Sequence, residues 1–215
     1  MKETNVADDV TRAAVRLFAA QGYANTSVQQ IVEAAGVTKG AMYHYFESKD
    51  DLLFAIYDRM LSLQKSHLDD IIASGGPVDE VLRSACVDVA RTSIEFLPEG
   101  TVFFRSQHML TQPRQQEVAR RRREYHDEFA TLIRRGQDEG LYRTDIPRAV
   151  LIANFFSDIH YLSHWYDPDG AEDSTLVAEQ ITDLFLTGLR RTDAVASGSR
   201  TRPQPPRRER PWGAA

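Results

Sequence analysis

Apolar residues return every three or four positions along most of this chain, while the strict alternation of a half-buried strand is nearly absent. That spacing places each apolar set on one side of a helix and predicts an all-α protein. A first helix is expected from about Thr4 to Gln21, with Val6, Val10, Ala13 or Ala14, Leu17 and Phe18 on one stripe and Gly22 as its stop. Ser27, with Gln30 three residues on, is a capping box for a helix through Ala35 that Gly36 ends. Thr38 caps the next, about Lys39 to Tyr45, and Ser48 caps a long helix whose apolar face is Leu52, Leu53, Ile56, Met60 and Leu63. Gly75-Gly76-Pro77 breaks the chain before a helix from Val78 to about Phe96, and a second break at Leu97-Pro98-Glu99-Gly100 precedes a short apolar segment, Val102 to Leu110. Pro113 opens a long helix that ends near Gly136 to Gly140, Pro147 opens one reaching Trp165 and Tyr166, and the last spans about Ser174 to Arg190. No internal repeat is found.

The 215 residues, 42% of them hydrophobic, suffice for one or two packed domains. No stretch approaches the ~18 consecutive apolar residues of a membrane span, and Met1 to Asp9 lacks the apolar core of a secretory signal, so a cytoplasmic protein without membrane contact is expected. The single cysteine, Cys86, lies in the apolar run Val81-Leu82-Ala85-Val89, which excludes an internal disulfide and points to packing. Asn25-Thr26-Ser27 is then an idle sequon. The net charge of −5 hides an asymmetry: Thr192 to Ala215 holds five arginines against Asp193 and Glu209, a net +3, so residues 1 to 191 carry −8. A nucleic-acid face on such a body must be local. Four of the nine prolines also fall in that last segment, which reads as a disordered extension, either idle or an electrostatic aid to binding.

Two short helices joined by a turn containing Gly36 have the geometry that lays a second helix across a DNA major groove while the first braces it. Val28, Ile31, Val32, Val37 and Phe46 would hold the pair together and leave Thr38, Lys39, Tyr43 and His44 outward. Hydroxyls and an ammonium suit phosphate oxygens, and Lys39 can also reach guanine acceptors. Gly40 costs a helix about 1 kcal/mol relative to alanine, and close approach of the backbone to DNA is one reason to keep it; simple tolerance in a short helix is another. Spacing alone also fits two helices of an ordinary bundle. The residues go further. Thr26-Ser27-Val28 through Ile31, Ala35-Gly36-Val37-Thr38-Lys39-Gly40-Ala41-Met42-Tyr43-His44-Tyr45-Phe46 and Ser48-Lys49-Asp50-Asp51-Leu52, with Phe18-Ala19-Ala20-Gln21-Gly22-Tyr23 before them, closely resemble the DNA-binding domain of the TetR family of bacterial repressors over about residues 6 to 57. The resemblance implies an all-helical, Ω-shaped homodimer that binds a double-stranded operator. It implies a helix-turn-helix domain over residues 1–47 and a helical ligand-binding and dimerisation domain over 48–191, to which composition adds the disordered Arg/Pro-rich extension over 192–215. Carried over by position, Thr38, Lys39, Gly40, Tyr43 and His44 are the operator-contacting set, with Ser27 and Lys49 anchoring phosphates at helix N-termini.

The effector is a separate question, because the family's second domain varies in sequence. Phe103, Phe104, Met109, Tyr125, Phe129, Phe155 and Trp165 are candidates to line a largely apolar small-molecule cavity, although each also suits a packed core. Asp138-Glu139-Gly140-Leu141-Tyr142-Arg143 and His164-Trp165-Tyr166-Asp167-Pro168-Asp169-Gly170 are similar to TetR-family regulators that respond to acyl-coenzyme A thioesters. For such a ligand the run Arg120-Arg121-Arg122-Arg123 offers cations, but four consecutive residues spread around the helix, so at most one or two face a pocket. His160 and His164 share the spacing of zinc-binding helices without the glutamate, and pocket polarity or packing competes with a metal role there. No nucleophile elbow, phosphate loop or dinucleotide fingerprint appears, so neither catalysis nor a cofactor is expected. A dimer interface is expected from Ile152, Phe155, Phe156, Ile159, Ile181, Leu184, Phe185 and Leu189, although these residues also suit burial within their own chain. Open alternatives are an activator of the same fold and a helical small-molecule-binding protein with no DNA role.

Overall fold

The computed structural model describes residues 5–191; the expected start at Thr4 and the Arg/Pro-rich extension over 192–215 lie outside them. Among the described residues the chain forms nine α-helices and no strand. α1 (Val6–Gln21) begins where the Asn5 side chain accepts from the Ala7 N–H at 3.1 Å. α2 (Val28–Ala35) and α3 (Lys39–Tyr45) pack against it, and α4 (Lys49–Ala73) leads out of this unit into the body. The body consists of α5 (Val78–Glu95), α6 (Leu97–Ser106), α7 (Gln112–Asp138), α8 (Arg148–Tyr161) and α9 (Ser174–Leu189). α5 is its axis, touching α4, α6, α7, α8 and α9, because Val81, Leu82, Ala85, Cys86 and Val89 are all buried. Burial raises the Cys86 thiol far above its ordinary pKa, which keeps it an inert packing group.

Two expected boundaries differ. Leu97-Pro98-Glu99-Gly100 is the first turn of α6 and not a break, since the missing N–H of a proline costs nothing in the opening turn. The chain bends instead at Phe96, which ends α5 and starts α6. α8 stops at Tyr161 and tightens into a 3-10 turn over Leu162–His164, so Trp165 and Tyr166 lie beyond the helix. The Asp138–Arg143 segment, read above as a mark of thioester-responsive regulators, has a local structural job. Gly140 takes the left-handed conformation, and the N–H groups of Leu141 and Tyr142 both reach the Gly136 carbonyl. The Tyr142 ring then lies where a Gly136 side chain would be.

α4 and α7 run side by side in the same direction and are joined by ion pairs every seven residues. Asp51 pairs with Arg114 at 2.5 Å, Asp58 with Arg121, and Lys65 with Glu128 at 2.9 Å. Seven residues return a helix to nearly the same face, which keeps the three pairs on one seam. Thr111 extends the seam by donating from its N–H and hydroxyl to Asp50. The charges reverse at the third pair, so sliding α7 by one heptad would set Arg121 against Lys65 or Glu128 against Asp58. The ladder therefore fixes register by repulsion as well as attraction. Each half-buried rung is expected to contribute about 1 kcal/mol or less. Asp58→Arg and Arg121→Asp should each destabilise the protein in urea titrations, and the swapped double variant should recover most of the loss. Losses that simply add would show that the pair carries no coupling.

Candidate nucleic-acid interface and ligand cavity

The α2–α3 unit is built by local chemistry. The Ser27 Oγ accepts from the Gln30 N–H at 3.2 Å, while the Ser27 N–H donates to the Gln30 side chain at 2.8 Å, a closed capping box. Gly36 turns the chain with φ +68, which lets the Val37 N–H reach the Val32 carbonyl. The Thr38 hydroxyl accepts from the Ala41 N–H at 3.1 Å and starts α3. Ile31, Val32, Phe46 and Met42 are buried, Met42 completely, although the expected apolar set did not include Met42. Thr38, Lys39, Gly40, Tyr43 and His44 all stand exposed along the start and outer side of α3, as does Ser27 at the start of α2. Tyr45 is exposed as well and meets the His44 ring edge-on at 5.1 Å.

Two details bear on roles within that set. A side chain at Gly40 would meet nothing nearer than Thr38 Oγ1 at 3.8 Å, so the fold itself does not require a glycine there. Lys49 differs from the phosphate anchor expected of it. Its Nζ donates to the Tyr23 and Thr26 carbonyls at 2.9 and 2.8 Å and lies 4.3 Å from the Tyr23 ring centre. It ties the α1–α2 loop to the start of α4, and burial lowers its pKa.

In the body, α4, α5, α6, α7 and α8 enclose a cleft. α4 contributes Tyr57, Met60, Leu61 and Gln64, α6 Leu97, Gly100, Thr101 and Phe104, and α8 Phe156, Ile159 and His160. α7 adds Arg122, Tyr125 and His126. Of the seven candidate lining residues, only Phe104 and Tyr125 face it. Phe103 is packed behind the wall, stacked on Tyr57 at 3.8 Å, and Phe129 and Phe155 belong to the α7–α8–α9 core. Met109 and Trp165 lie on the surface, 43% and 52% exposed. Adjacent residues on a helix point about 100° apart, which is why Phe103 and Phe104 part company. Polar residues interrupting apolar stripes mark the true lining: Arg122 and His126 are four apart on α7, Phe156 and His160 four apart on α8.

The Arg120–Arg123 run divides as its helical spread requires. Arg120 pairs with Glu117 and Glu124, Arg121 with Asp58 and the Ser62 hydroxyl, Arg123 is exposed, and Arg122 alone reaches the cleft. The histidines also divide. His160 packs 4.5 Å from Phe104, whereas His164 lies past the end of α8 and stacks on Tyr161 at 4.3 Å, so the two do not share a ligand face. No group of three or more metal-ligating side chains occurs among the described residues. Burial, and then the Arg122 charge, pushes His126 down to about 4 and His160 down to about 3 from an ordinary 6.5. Both are neutral at pH 7, and burial pushes the Tyr57 hydroxyl up to about 12. The free space within the cleft is only about 40 Å³. That holds a water or two, well short of the roughly 300–1,000 Å³ of a typical small-molecule site.

The helix-turn-helix unit, seated on a larger helical body, defines the chain's class: a helix-turn-helix transcriptional regulator. A profile described as bacterial regulatory proteins, tetR family, matches residues 10–56, and one described as tetracyclin repressor-like, C-terminal domain, matches residues 75–189. The chain belongs to the TetR family, whose members are transcriptional regulators. It is 27% identical over 179 residues to the HTH-type transcriptional repressor KstR2 of Rhodococcus jostii, spanning 82% of this chain and 87% of that one. The TetR-family regulator PfmR of Thermus thermophilus superposes with a TM-score of 0.76 at 27% identity, covering 85% of this chain and 99% of PfmR. AibR, solved in complex with isovaleryl coenzyme A and operator DNA, shares the fold with a TM-score of 0.69 at 24% identity, covering 86% and 98% of the two chains.

The neutral histidines make stability depend on pH with a definite sign. The unfolded chain takes up protons at these positions below about 6.5 while the folded chain refuses them until about 4 and below. Stability should therefore fall as pH drops from 6.5 towards 4, with no contribution from these groups above that range. His160→Leu should flatten the fall in a series of urea titrations; an unchanged slope would contradict the burial of a neutral imidazole.

Proposed function

We propose that the protein is a repressor that binds a palindromic operator as a dimer and is released by a small apolar or acyl-coenzyme A-type effector that opens the cleft. The observation that carries this reading is a shut cleft whose walls α4 and α6 also pack directly on α1. An effector of ordinary size must part those walls, and an effector that prefers the parted form shifts the population away from the DNA-binding one. The repressors named KstR2 support the sign of regulation, and AibR, holding isovaleryl coenzyme A and operator DNA, supports the effector class. Action on chromosomal DNA goes with a cytoplasmic location.

Five of the eight residues of the expected dimer set are committed elsewhere: Phe155, Phe156, Ile159, Phe185 and Leu189 are buried within their own chain. An apolar surface remains on α8 and α9 and the loop between them, formed by Tyr161, Trp165, Leu176, Leu184 and the edge of Ile181, with Leu184 77% exposed. We assign the twofold contact to this face. It would set two α3 helices for successive major grooves, about 34 to 36 Å apart.

Exposed Thr38, Lys39, Gly40, Tyr43 and His44 then read the operator, Ser27 adds a phosphate contact, and Lys49 braces the unit from within. Binding of the purified protein to its own upstream DNA, challenged with acyl-coenzyme A thioesters, free fatty acids and aromatic drugs, tests the reading. Release by no thioester would remove that class. Lys39→Ala and Tyr43→Phe should weaken binding without loss of fold. Gly40→Ala should stabilise α3 by up to about 1 kcal/mol and still weaken the complex, because the methyl group stands where backbone meets DNA. Operator affinity equal to that of the unaltered protein would refute a close approach at Gly40.

A further inference from the structure

We infer that Arg122 is the anchor for a single negative charge, so that the effector is an apolar monoanion, a carboxylic acid on a hydrophobic skeleton held with its carboxylate against Arg122. The inference rests on the effector role proposed for the cleft and, of the two effector classes offered there, takes the small apolar one and gives it a single charge.

Four consecutive arginines have four different fates, and only Arg122 faces a closed, mostly apolar space. No carboxylate pairs with it among the described residues; its guanidinium lies 5.5 Å from the Phe104 ring centre. Arginine stays charged under any physiological condition, so this half-buried cation is held beside an aromatic face without a counter-ion. An unpaired charge in such a place carries a desolvation cost that an arriving anion relieves. A carboxylate can also take two parallel hydrogen bonds from the planar guanidinium.

The other polar groups facing the cleft suit the same head group. His126 and His160 are neutral, and with the Tyr57 and Tyr125 hydroxyls they can donate hydrogen bonds without adding charge. Arg122 is thus the one charged cation among the described lining residues. That argues against seating the several phosphate charges of a coenzyme A moiety here, since each asks for its own partner. Arg122 also lines an outer groove with His108, Leu110, Gln115 and Val118, which places it in the wall between cleft and surface. A ligand lying with its tail among Met60, Phe156 and Ile159 has its head at this wall.

The test uses two dyes with one skeleton, 8-anilinonaphthalene-1-sulfonate, an aromatic monoanion, and uncharged N-phenyl-1-naphthylamine. Fluorescence titration of the full chain should give one saturable site per protomer for each. Arg122→Met should weaken the sulfonate dye at least tenfold and leave the neutral dye within twofold, while Arg122→Lys keeps much of the sulfonate affinity and Arg123→Met changes neither. Decanoate should displace the sulfonate dye at lower concentration than decanol or decanoyl-coenzyme A. If both dyes bind and Arg122→Met treats them alike, the cleft is an effector site and the anchor is wrong. If decanoyl-coenzyme A displaces best, the single-charge assignment is overturned. If neither dye saturates at one per protomer, the cleft reading itself falls, and the inference with it.

Discussion

The seam between α4 and α7 sets the register in which the helical body meets the helix that leads out of the DNA-contacting unit. Three ion pairs at heptad spacing, with the charges reversed at the third, hold the two helices in one register over most of their length. α4 begins inside the DNA-contacting unit, where Ser48 caps it through the Asp51 N–H and Lys49 bonds the loop between α1 and α2. Arg59 on the same helix pairs with Asp8 of α1 at 2.9 Å. On the proposed mechanism a displacement of α7 in the body would be carried by α4 to the helix-turn-helix, because a slip along the seam brings like charges together.

The cleft lies against that seam. Arg121 pairs across it with Asp58, and its neighbour Arg122 faces the cleft, so one turn of α7 both clamps α4 and meets whatever enters. The opposite wall, α6, rests on α1, which packs against both α2 and α3. On the proposed mechanism, opening the cleft would act on the DNA-contacting unit by two routes, through α4 and through α6. The walls between them are aromatic and closely packed, with Tyr57 on Phe103 at 3.8 Å and His126 on Phe156 at 4.0 Å. Interiors of that density are bistable more than elastic, which favours two discrete states over a graded one.

How much of this was legible in the sequence follows from the range of the forces involved. The caps at Ser27, Thr38 and Ser48 and the turn at Gly36 depend on residues within four positions, and the sequence names them correctly. The all-helical class and the helix-turn-helix were equally open to inspection. The cleft lining was not, because Phe103 and Phe104 are chemically identical and differ only in which neighbour their helix turns them towards. The same holds for Lys49, whose carbonyl partners Tyr23 and Thr26 come together only when the loop folds over α4. A usable clue was present in Arg122, His126 and His160, polar side chains on otherwise apolar stripes, which a search for aromatic residues passes over.

On the proposed mechanism the DNA-contacting unit reads the width of the cleft. Gly100 lines that cleft from α6, and a Cβ placed there would already be in contact with the Phe104 ring at 4.0 Å, so a longer side chain must push into the walls. Gly100→Leu is a wedge that parts the walls without any ligand, at an overpacking cost of about 1–3 kcal/mol. The most direct measurement is the affinity of this variant for the protein's own upstream DNA, by fluorescence anisotropy, on material whose helicity matches the unaltered chain. Binding at least tenfold weaker than that of the unaltered protein is expected. A folded wedge variant that binds the same DNA with unchanged affinity would contradict it.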